Sequence, residues 1–242
     1  MKERAEHEIR HGEYLASGDT EALWGWGTPA GRVRADRRAG LIADAARLCP
    51  SVKALEIGCG TGMFTEMFAH SGCTLVAVDI SEELLKKATQ RNLPKDQVQF
   101  VNKRFEECAI DGPFDAVIGS SVLHHLEIDA ALRKIFDLLK PGGIMSFAEP
   151  NMLNPQIFCE RKFRRFFPRI SEDETAFVRS SMKQLLQQTG FSNCKIIPFD
   201  WLHPAVPKPL IPCVSAAGKI VEKIPVLCEF SGSLLITAER GY

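Results

Sequence analysis

Three glycines at alternate positions follow an apolar run in the stretch "LEIGCGTGMF", and an acid precedes them: Glu56, Gly58, Gly60 and Gly62. A glycine turn between a strand and a helix lets a ligand approach the main chain, where the N–H groups of the helix start form a polar wall. Dinucleotide sites use the spacing G-x-G-x-x-G, but Met63 occupies the place of that third glycine. The pattern therefore indicates a nucleoside-like ligand and disfavours NAD.

Asp79 ends the next apolar run, "TLVAVDI", about 20 residues after the glycines. An acid at this place can accept hydrogen bonds from both hydroxyls of a ribose. Each such bond is worth about 1.5–3 kcal/mol when it is shielded from water. The alternative is that Asp79 only caps the helix that begins after it.

The elements that must position these residues alternate between apolar strands and amphipathic helices. Such alternation predicts a parallel sheet with helices on both faces. We expect strands at 52–58, 74–80, 98–102, 114–120, 144–149, 194–200 and 232–239, helices at 32–48, 61–71, 82–92, 129–139 and 181–189, and a turn at 140–143. Residues 1–242 then form one α/β domain. Segments 1–31, 150–180 and 201–230 lie outside this rhythm and are candidates for an N-terminal lid and two caps over the site.

Composition and charge narrow the class of protein further. The chain has 30 basic and 30 acidic residues, so no overall field attracts nucleic acid. Eight cysteines show no CxxC or Cys/His spacing, and the polar N-terminal stretch resembles no secretory signal. We therefore expect a cytoplasmic protein without disulfides.

Four motifs occur in order along the chain: "LEIGCGTG", "VAVDIS", "FDAVIGSSVLHHL" and "LLKPGGIMSFAEP". Residues 50–150 thereby resemble the Rossmann-like (class I) S-adenosylmethionine-dependent methyltransferases of the small-molecule and quinone group. The resemblance implies a doubly wound seven-stranded sheet, mostly parallel, with an antiparallel last strand. It also implies S-adenosylmethionine as cofactor and S-adenosylhomocysteine as product. The expected acceptor is a small or lipid-linked molecule methylated at oxygen, with carbon or nitrogen as the alternatives. The residues it places at the cofactor are Glu56, near the ammonium group, Gly58, Cys59, Gly60, Gly62, Asp79, Ile80 and Ser120.

The loop after the third strand departs from the family pattern. Arg104 stands where the family commonly has an acid that accepts the adenine amino group. Phe105 could stack on adenine and Glu106 could replace the acceptor. The alternative is a solvated loop.

Two histidines, His124 and His125, follow the fourth strand at the edge where open α/β sheets bind ligands. Either could act as general base, or the pair could pack beneath the cofactor without a catalytic role. Some quinone-type relatives have an E-x-x-E-H metal motif here. Both carboxylates of that motif are missing, since Ser121 and His124 occupy their places, so we expect no metal.

Residues on the acceptor side are less distinctive. Glu149 and Asn151 follow the fifth strand and could face the acceptor, although Asn151 could instead serve a turn. Trp24 and Trp26 could close over the sulfonium or anchor the N-terminal segment on the core.

Two further segments have an unusual composition. Segment 157–169 mixes phenylalanines with basic residues. This composition suits a helix that rests on an anionic membrane or recruits a phosphorylated acceptor, or a cap helix whose aromatics face the core. Segment 201–230 is rich in proline and apolar residues and suits a cap for a lipid-like acceptor or a dimer interface. The protein is then a monomer or a homodimer.

Three other functions compete with methyl transfer. A regulatory protein of the same fold could bind the cofactor without catalysis. An NAD-dependent oxidoreductase is disfavoured by Met63, and nucleic-acid methylation by the balanced charge and the absence of an N/D-P-P-Y-type motif after the fourth strand.

Overall fold

The computed structural model describes residues 2–107, 109–167 and 174–242. Cys108 and residues 168–173 lie outside the described residues, and with them the end of segment 157–169 and part of the insertion 150–180. In the described part, no helix is long and apolar enough to span a bilayer.

A seven-stranded sheet forms the centre of the molecule. Its strands are β1 (Lys53–Ile57), β2 (Thr74–Asp79), β3 (Val98–Asn102), β4 (Phe114–Ser120), β5 (Leu139–Pro150), β6 (Phe191–Phe199) and β7 (Ser233–Arg240). Their order across the sheet is β3-β2-β1-β4-β5-β7-β6. β7 pairs antiparallel with β5 and β6, while the other pairs are parallel. The predicted fold class, with an antiparallel last strand, is confirmed.

Helices cover both faces of this sheet and extend beyond it. They are α1 (Lys2–Ala16), α2 (Thr20–Leu23), α3 (Pro29–Ala45), α4 (Met63–Ala69), α5 (Glu82–Thr89), α6 (Ile128–Leu138), α7 (Pro155–Lys162), α8 (Arg179–Thr189) and α9 (Ile211–Val221). Short 3₁₀ turns occupy Leu123–His125, Arg164–Phe166, Lys208–Leu210 and Leu227–Phe230. α5 begins as the sequence indicates, because the Ser81 hydroxyl accepts a hydrogen bond from the Leu84 N–H.

The hydrophobic core has one part on each face of the sheet. Leu55 and Ile57 of β1 point to the face covered by α6 and α8, where Leu132 packs beside them. Ile42 of α3 and Phe68 of α4 pack on the opposite face. Since successive strand residues point to opposite faces, the central strands are buried on both sides. Their carboxyl ends are therefore held rigidly at one edge.

The element boundaries differ from expectation in three informative places. β5 begins at Leu139, so the expected turn "KPGG" lies inside the strand. Its pairing with β4 shifts in register between Phe114 and Ala116, and Gly142 has a φ of +78°. These two features mark a bulge in β5. The N-terminal segment contains α1, which its polar sequence did not indicate. α7 ends at Lys162, although a helix was considered for the whole of 157–169.

Candidate active site

A cavity of about 700 Å³ opens at the carboxyl ends of β1, β2 and β4. This volume is within the range of small-molecule sites. The glycine turn, the loop after β3, α1, α3, α7 and residues 200–205 all contribute to its walls. Of the residues predicted at the cofactor, the lining contains Gly58, Cys59, Gly60, Asp79, Ile80, Phe105 and Ser120.

The glycine turn has a backbone that other residues rarely adopt. Gly58 and Gly60 have φ of +68° and +53°. A Cβ on Gly58 would come within 2.3 Å of a Val122 methyl carbon, and one on Gly60 within 3.0 Å of the Trp24 ring. The left-handed conformation disfavours a side chain at both positions, and Val122 leaves no room for one at Gly58. The turn therefore presents main chain rather than side chains to the cavity.

Asp79 links the glycine turn to the helix that follows β2. Its Oδ2 accepts a hydrogen bond from the Gly60 N–H and its Oδ1 from the Ser81 N–H, each at 2.8 Å. Burial raises the pKa of Asp79. The two backbone bonds fix the orientation of the carboxylate, and each oxygen keeps a second lone pair for a ligand.

Glu56 lies beneath the turn and does not line the cavity. The residue is 1% exposed, and its Oε2 has no hydrogen-bond partner among the described residues. Burial raises the pKa of Glu56 to about 8, with a further contribution from the charge of Asp79. The expected contact of Glu56 with the cofactor's ammonium group stays a prediction.

The loop after β3 places an aromatic surface in the cavity wall. Phe105 is buried, and Lys134 Nζ lies 5.1 Å from its ring centre. Arg104 pairs with the acids around it, its Nε 3.4 Å from Glu106 Oε2 and its Nη1 2.6 Å from Glu107 Oε1. Because Arg104 already engages Glu106, the arrangement favours Phe105 over Glu106 as the contact for a flat ligand.

Arg38 of α3 is a site residue that the sequence analysis missed. Its guanidinium is buried and donates hydrogen bonds to the hydroxyls of Ser120, Ser121 and Ser233 at 2.8, 3.0 and 2.9 Å, and to the Ala148 carbonyl at 2.6 Å. None of the ion pairs between described residues includes Arg38. Burial lowers the pKa of Arg38 to about 10. It stays protonated at neutral pH and presents a buried positive charge at the cavity wall.

A signal for Arg38 exists in the helical periodicity. Ala35, Ala39 and Ile42 are buried on the same face of α3, and Arg38 falls between them. A charged residue on the apolar face of a helix is a marker of function.

His124 lies between two carboxylates. Its Nδ1 is 2.6 Å from Glu149 Oε2, and its Nε2 is 3.2 Å from Glu174 Oε1. Burial alone would lower the pKa of His124, but the hydrogen bonds to Glu149 and Glu174 raise it overall. Burial opposes ionisation of Glu174 too, yet the bond to His124 and the neighbouring cationic groups lower its pKa to about 2. A histidine that donates to two carboxylates has no free lone pair, so this geometry disfavours His124 as a base.

His125 faces the cavity and is more accessible than His124. Its Nδ1 lies 3.0 Å from Glu8 Oε2 of α1, and its Nε2 lies 3.8 Å from Glu174 Oε1. The N-terminal helix thus contributes a carboxylate next to the more accessible histidine of the pair.

The same histidines could also hold a cation. His124, His125 and Glu174 each offer one ligand atom, and these atoms lie within 4.8 Å of one another. Glu174 follows α7 in the chain, so it supplies a carboxylate that the local sequence motif lacks. Imidazole and carboxylate suit divalent cations such as zinc. A cation would have to replace the hydrogen bond between His124 and Glu174, and the expectation of no metal stays a prediction.

Four residues expected at the acceptor fall into two groups. Trp24 lies over Gly60, whereas Trp26 is buried against Ala35 and Met63, with both rings in the cavity wall. Glu149 and Asn151 do not line the cavity.

The structure shows other partners for these two polar side chains. Glu149 Oε1 accepts hydrogen bonds from the backbone of Val122 and Leu123, at 2.9 Å each. Asn151 Nδ2 donates to the carbonyls of Glu229 and Ser231, at 2.8 Å each. Glu149 therefore holds His124 in place through its second oxygen. Asn151 is engaged by the backbone of the turn at 229–231, in line with the alternative that it serves a turn.

Comparison with known sequences points to one family. A family model described as a methyltransferase domain matches residues 55–145. A ubiquinone biosynthesis O-methyltransferase of Xanthomonas campestris is 35% identical over 106 residues, which are 42% of this chain and 44% of that protein. An uncharacterized methyltransferase of Synechocystis is 31% identical over 151 residues, 60% of this chain and 69% of the relative. The chain thus spans less than half the length of the Xanthomonas relative.

Solved structures share the fold over nearly the whole chain. The N-methyltransferase NodS from Bradyrhizobium japonicum, solved with S-adenosylhomocysteine, has a TM-score of 0.63 and 18% identity over 96% of this chain and 97% of its own. A phosphoethanolamine N-methyltransferase of Haemonchus contortus has a TM-score of 0.67 and 15% identity, over 95% of this chain and 58% of its own. At such identities the likeness concerns the fold.

Proposed function

The chain belongs to the class I S-adenosylmethionine-dependent methyltransferases, and from this premise we propose that it transfers a methyl group from S-adenosylmethionine to a small-molecule or lipid-linked acceptor. Oxygen is the proposed target, because the Xanthomonas relative is by name an O-methyltransferase of ubiquinone biosynthesis. Trp24, Leu23 and Trp201 in the cavity wall suit an aromatic acceptor or one with an apolar tail.

One observation carries the proposal. The Asp79 carboxylate lies in the wall of the same cavity as the glycine turn, with each oxygen already oriented by one backbone N–H. This arrangement supports recognition of a vicinal diol, since two oxygens with fixed lone pairs match two adjacent hydroxyls. Phe105, farther along the wall, would then lie against the base.

Arg38 is proposed to bind the carboxylate of the cofactor's methionine portion. The guanidinium lines the cavity beside Ser120 at the end of β4 and donates hydrogen bonds to hydroxyls and a carbonyl. The charges of Asp200 and Glu149 act on it without a direct ion pair between these described residues. A ligand carboxylate would compensate the buried positive charge. Anchored at both ends, the donor could not turn away from the acceptor.

The reaction itself needs alignment more than functional groups. The acceptor oxygen attacks the methyl carbon, the carbon–sulfur bond breaks, and neutral S-adenosylhomocysteine leaves. Holding the reactants in line supplies several kcal/mol, about 7–11 at most. A hydroxyl acceptor also loses a proton, which we assign to His125. His125 is the more accessible of the two histidines, and its Nε2 lies 3.8 Å from Glu174, whereas both nitrogens of His124 lie within hydrogen-bond distance of a carboxylate.

Calorimetry tests the cofactor part of this proposal. S-adenosylhomocysteine should bind the wild type, and Asp79→Ala should weaken binding about 100-fold, as expected for two lost charge-assisted hydrogen bonds. Asp36→Ala, an exposed acid on α3, serves as the control and should bind normally. A wild type that releases no heat and shows no ligand-induced rise in melting temperature would overturn the proposal.

Mass spectrometry tests the acceptor part. Cell extract incubated with the enzyme and isotope-labelled cofactor should yield a labelled lipid-soluble or aromatic product. Its fragmentation reports whether oxygen carries the methyl group, and label on nitrogen or carbon would refute the assignment to oxygen.

A further inference from the structure

Two segments near the cavity carry large apolar side chains on the outside of the molecule. One spans residues 153–167 and contains α7, and the other spans residues 219–230 at the end of α9. We call these two segments together the apolar rim. Its exposed apolar side chains are Leu153, Phe158, Phe163, Phe166, Ile220, Ile224, Val226, Leu227 and Phe230. Exposure reaches 67% at Phe166 and 70% at Val226, so these side chains do not serve the core.

Hydrogen bonds hold the two segments together. Asn154, which caps α7, donates from Nδ2 to the Phe230 carbonyl at 2.9 Å. Asn151 donates to the carbonyls of Glu229 and Ser231. The turn at 227–230 is thus fastened to the start of α7, which brings the two segments of the apolar rim together at this point.

The apolar rim also carries an excess of positive charge. Lys162 and Arg165 are exposed on the first segment, and Lys219 and Lys223 on the second. None of these four takes part in an ion pair between described residues. Two acids of the second segment are already engaged by cations outside the rim, Glu222 by Arg37 and Glu229 by Arg179. A chain of zero net charge therefore has a locally basic, apolar surface.

The tip of the second segment has an unusual backbone. Val226 has a φ of +69°, a region that β-branched residues rarely occupy. It lies between Pro225 and Leu227 and is largely exposed. An unfavourable conformation that presents apolar side chains to water is a mark of a surface that meets a partner.

We propose that the apolar rim docks onto an anionic lipid bilayer. Phenylalanines and aliphatic side chains enter the boundary between headgroups and acyl chains, while lysines and Arg165 meet the lipid phosphates. Ile157 and Arg161 on α7 line the cavity, so docking places the cavity next to the lipid. This deepens the proposed function, on which it rests for the identity of the acceptor, but docking itself requires no catalysis.

Vesicle sedimentation tests the docking. The full chain should bind vesicles of phosphatidylcholine mixed with phosphatidylglycerol, and should bind phosphatidylcholine alone much more weakly. Phe163→Ser with Phe166→Ser, and separately Val226→Ser with Leu227→Ser, should each lower partition about tenfold or more. Lys219→Glu with Lys223→Glu should lower vesicle binding to a comparable extent. Added salt should weaken vesicle binding by the wild type.

A matched control distinguishes the apolar rim from general stickiness. Ile197 and Lys195 are exposed on β6, at the edge of the sheet. Ile197→Ser with Lys195→Glu should leave vesicle binding unchanged. All variants should bind S-adenosylhomocysteine as the wild type does, so a failure of docking and a failure of the proposed cofactor are separate results.

Several outcomes would overturn the docking proposal. They are equal binding to neutral and anionic vesicles, loss of binding in only one of the two serine variants, and no vesicle binding by the wild type. A dimer seen by sedimentation in solution that the serine variants abolish, without vesicle binding, would assign the surface to a second copy instead.

Discussion

The two walls of the cavity are built by different means. The wall proposed for the cofactor consists of backbone turns at the ends of neighbouring strands, with positive φ at Gly58 and Gly60. The second wall, which is the rest of the lining, consists of side chains from α1, α7, residues 200–205 and Glu174, with ion pairs such as Arg161 with Glu174 at 3.1 Å. Turns of this kind tolerate few substitutions, whereas side chains on separate elements can change singly. The second wall is therefore where acceptor specificity can vary without loss of the fold.

Gly58→Ala tests the backbone wall and should have the largest effect. The added Cβ meets Val122 at 2.3 Å in a left-handed conformation, so we expect a stability loss of about 2–4 kcal/mol and no measurable binding of S-adenosylhomocysteine. Urea unfolding and calorimetry measure the two effects. Gly40→Ala is the control, because a Cβ there meets nothing within 4 Å and should leave binding intact. Normal binding by Gly58→Ala would show that the turn does not contact the ligand.

His125→Ala tests the side-chain wall. If His125 accepts the acceptor's proton, kcat should fall about 100-fold or more, while the affinity for S-adenosylhomocysteine stays the same. His124→Ala should instead destabilise the protein by about 3–5 kcal/mol, since Glu149 and Glu174 lose the charge between them. Single-turnover kinetics and urea unfolding separate the two behaviours. Unchanged kcat in His125→Ala would exclude it as the base.

Arg38→Met tests the proposed contact between Arg38 and the carboxylate of the cofactor's methionine portion. Affinity for S-adenosylhomocysteine should fall about 10- to 100-fold, the value of a charge-assisted hydrogen-bond pair. Affinity for methylthioadenosine, which lacks the carboxylate, should not change. Arg37→Met, on the neighbouring position and paired with Glu222, is the control for removing an arginine. Equal losses for both ligands would assign Arg38 to the structure of the apoprotein alone.

Glu56→Gln should have the smallest effect at neutral pH, because Glu56, with its pKa raised to about 8, is largely protonated there. The folded state keeps this proton while the unfolded state loses it above pH about 4.5. Wild-type stability should therefore fall as pH rises from about 4.5 to about 8, by up to about 1.4 kcal/mol per pH unit, and stay level above that range. Urea unfolding as a function of pH should show that the free energy of unfolding changes less with pH in Glu56→Gln than in the wild type. Identical profiles would contradict the raised pKa of Glu56.

The sequence was most informative about the backbone wall. Apolar strands, glycines and Asp79 are local signals, and the seven-stranded sheet with an antiparallel last strand followed from the resemblance over 50–150. The side-chain wall depends on contacts between residues that are distant in the sequence. Glu174 reaches His124 from 50 positions away, and no local pattern announces such a meeting. A cap helix whose aromatic side chains face the core would have buried Phe163 and Phe166, but both are exposed.

β7 lies between β5 and β6 although it follows both in the chain. During synthesis, β6 has no neighbour to pair with until residues 233–240 have left the ribosome, and the two earlier strands expose unpaired edges. The parallel strands β1–β5 can assemble first. A nascent chain would then hold a folded nucleoside-binding half beside an incomplete sheet edge at β5. Chaperones would be needed until β7 pairs with β5 and β6.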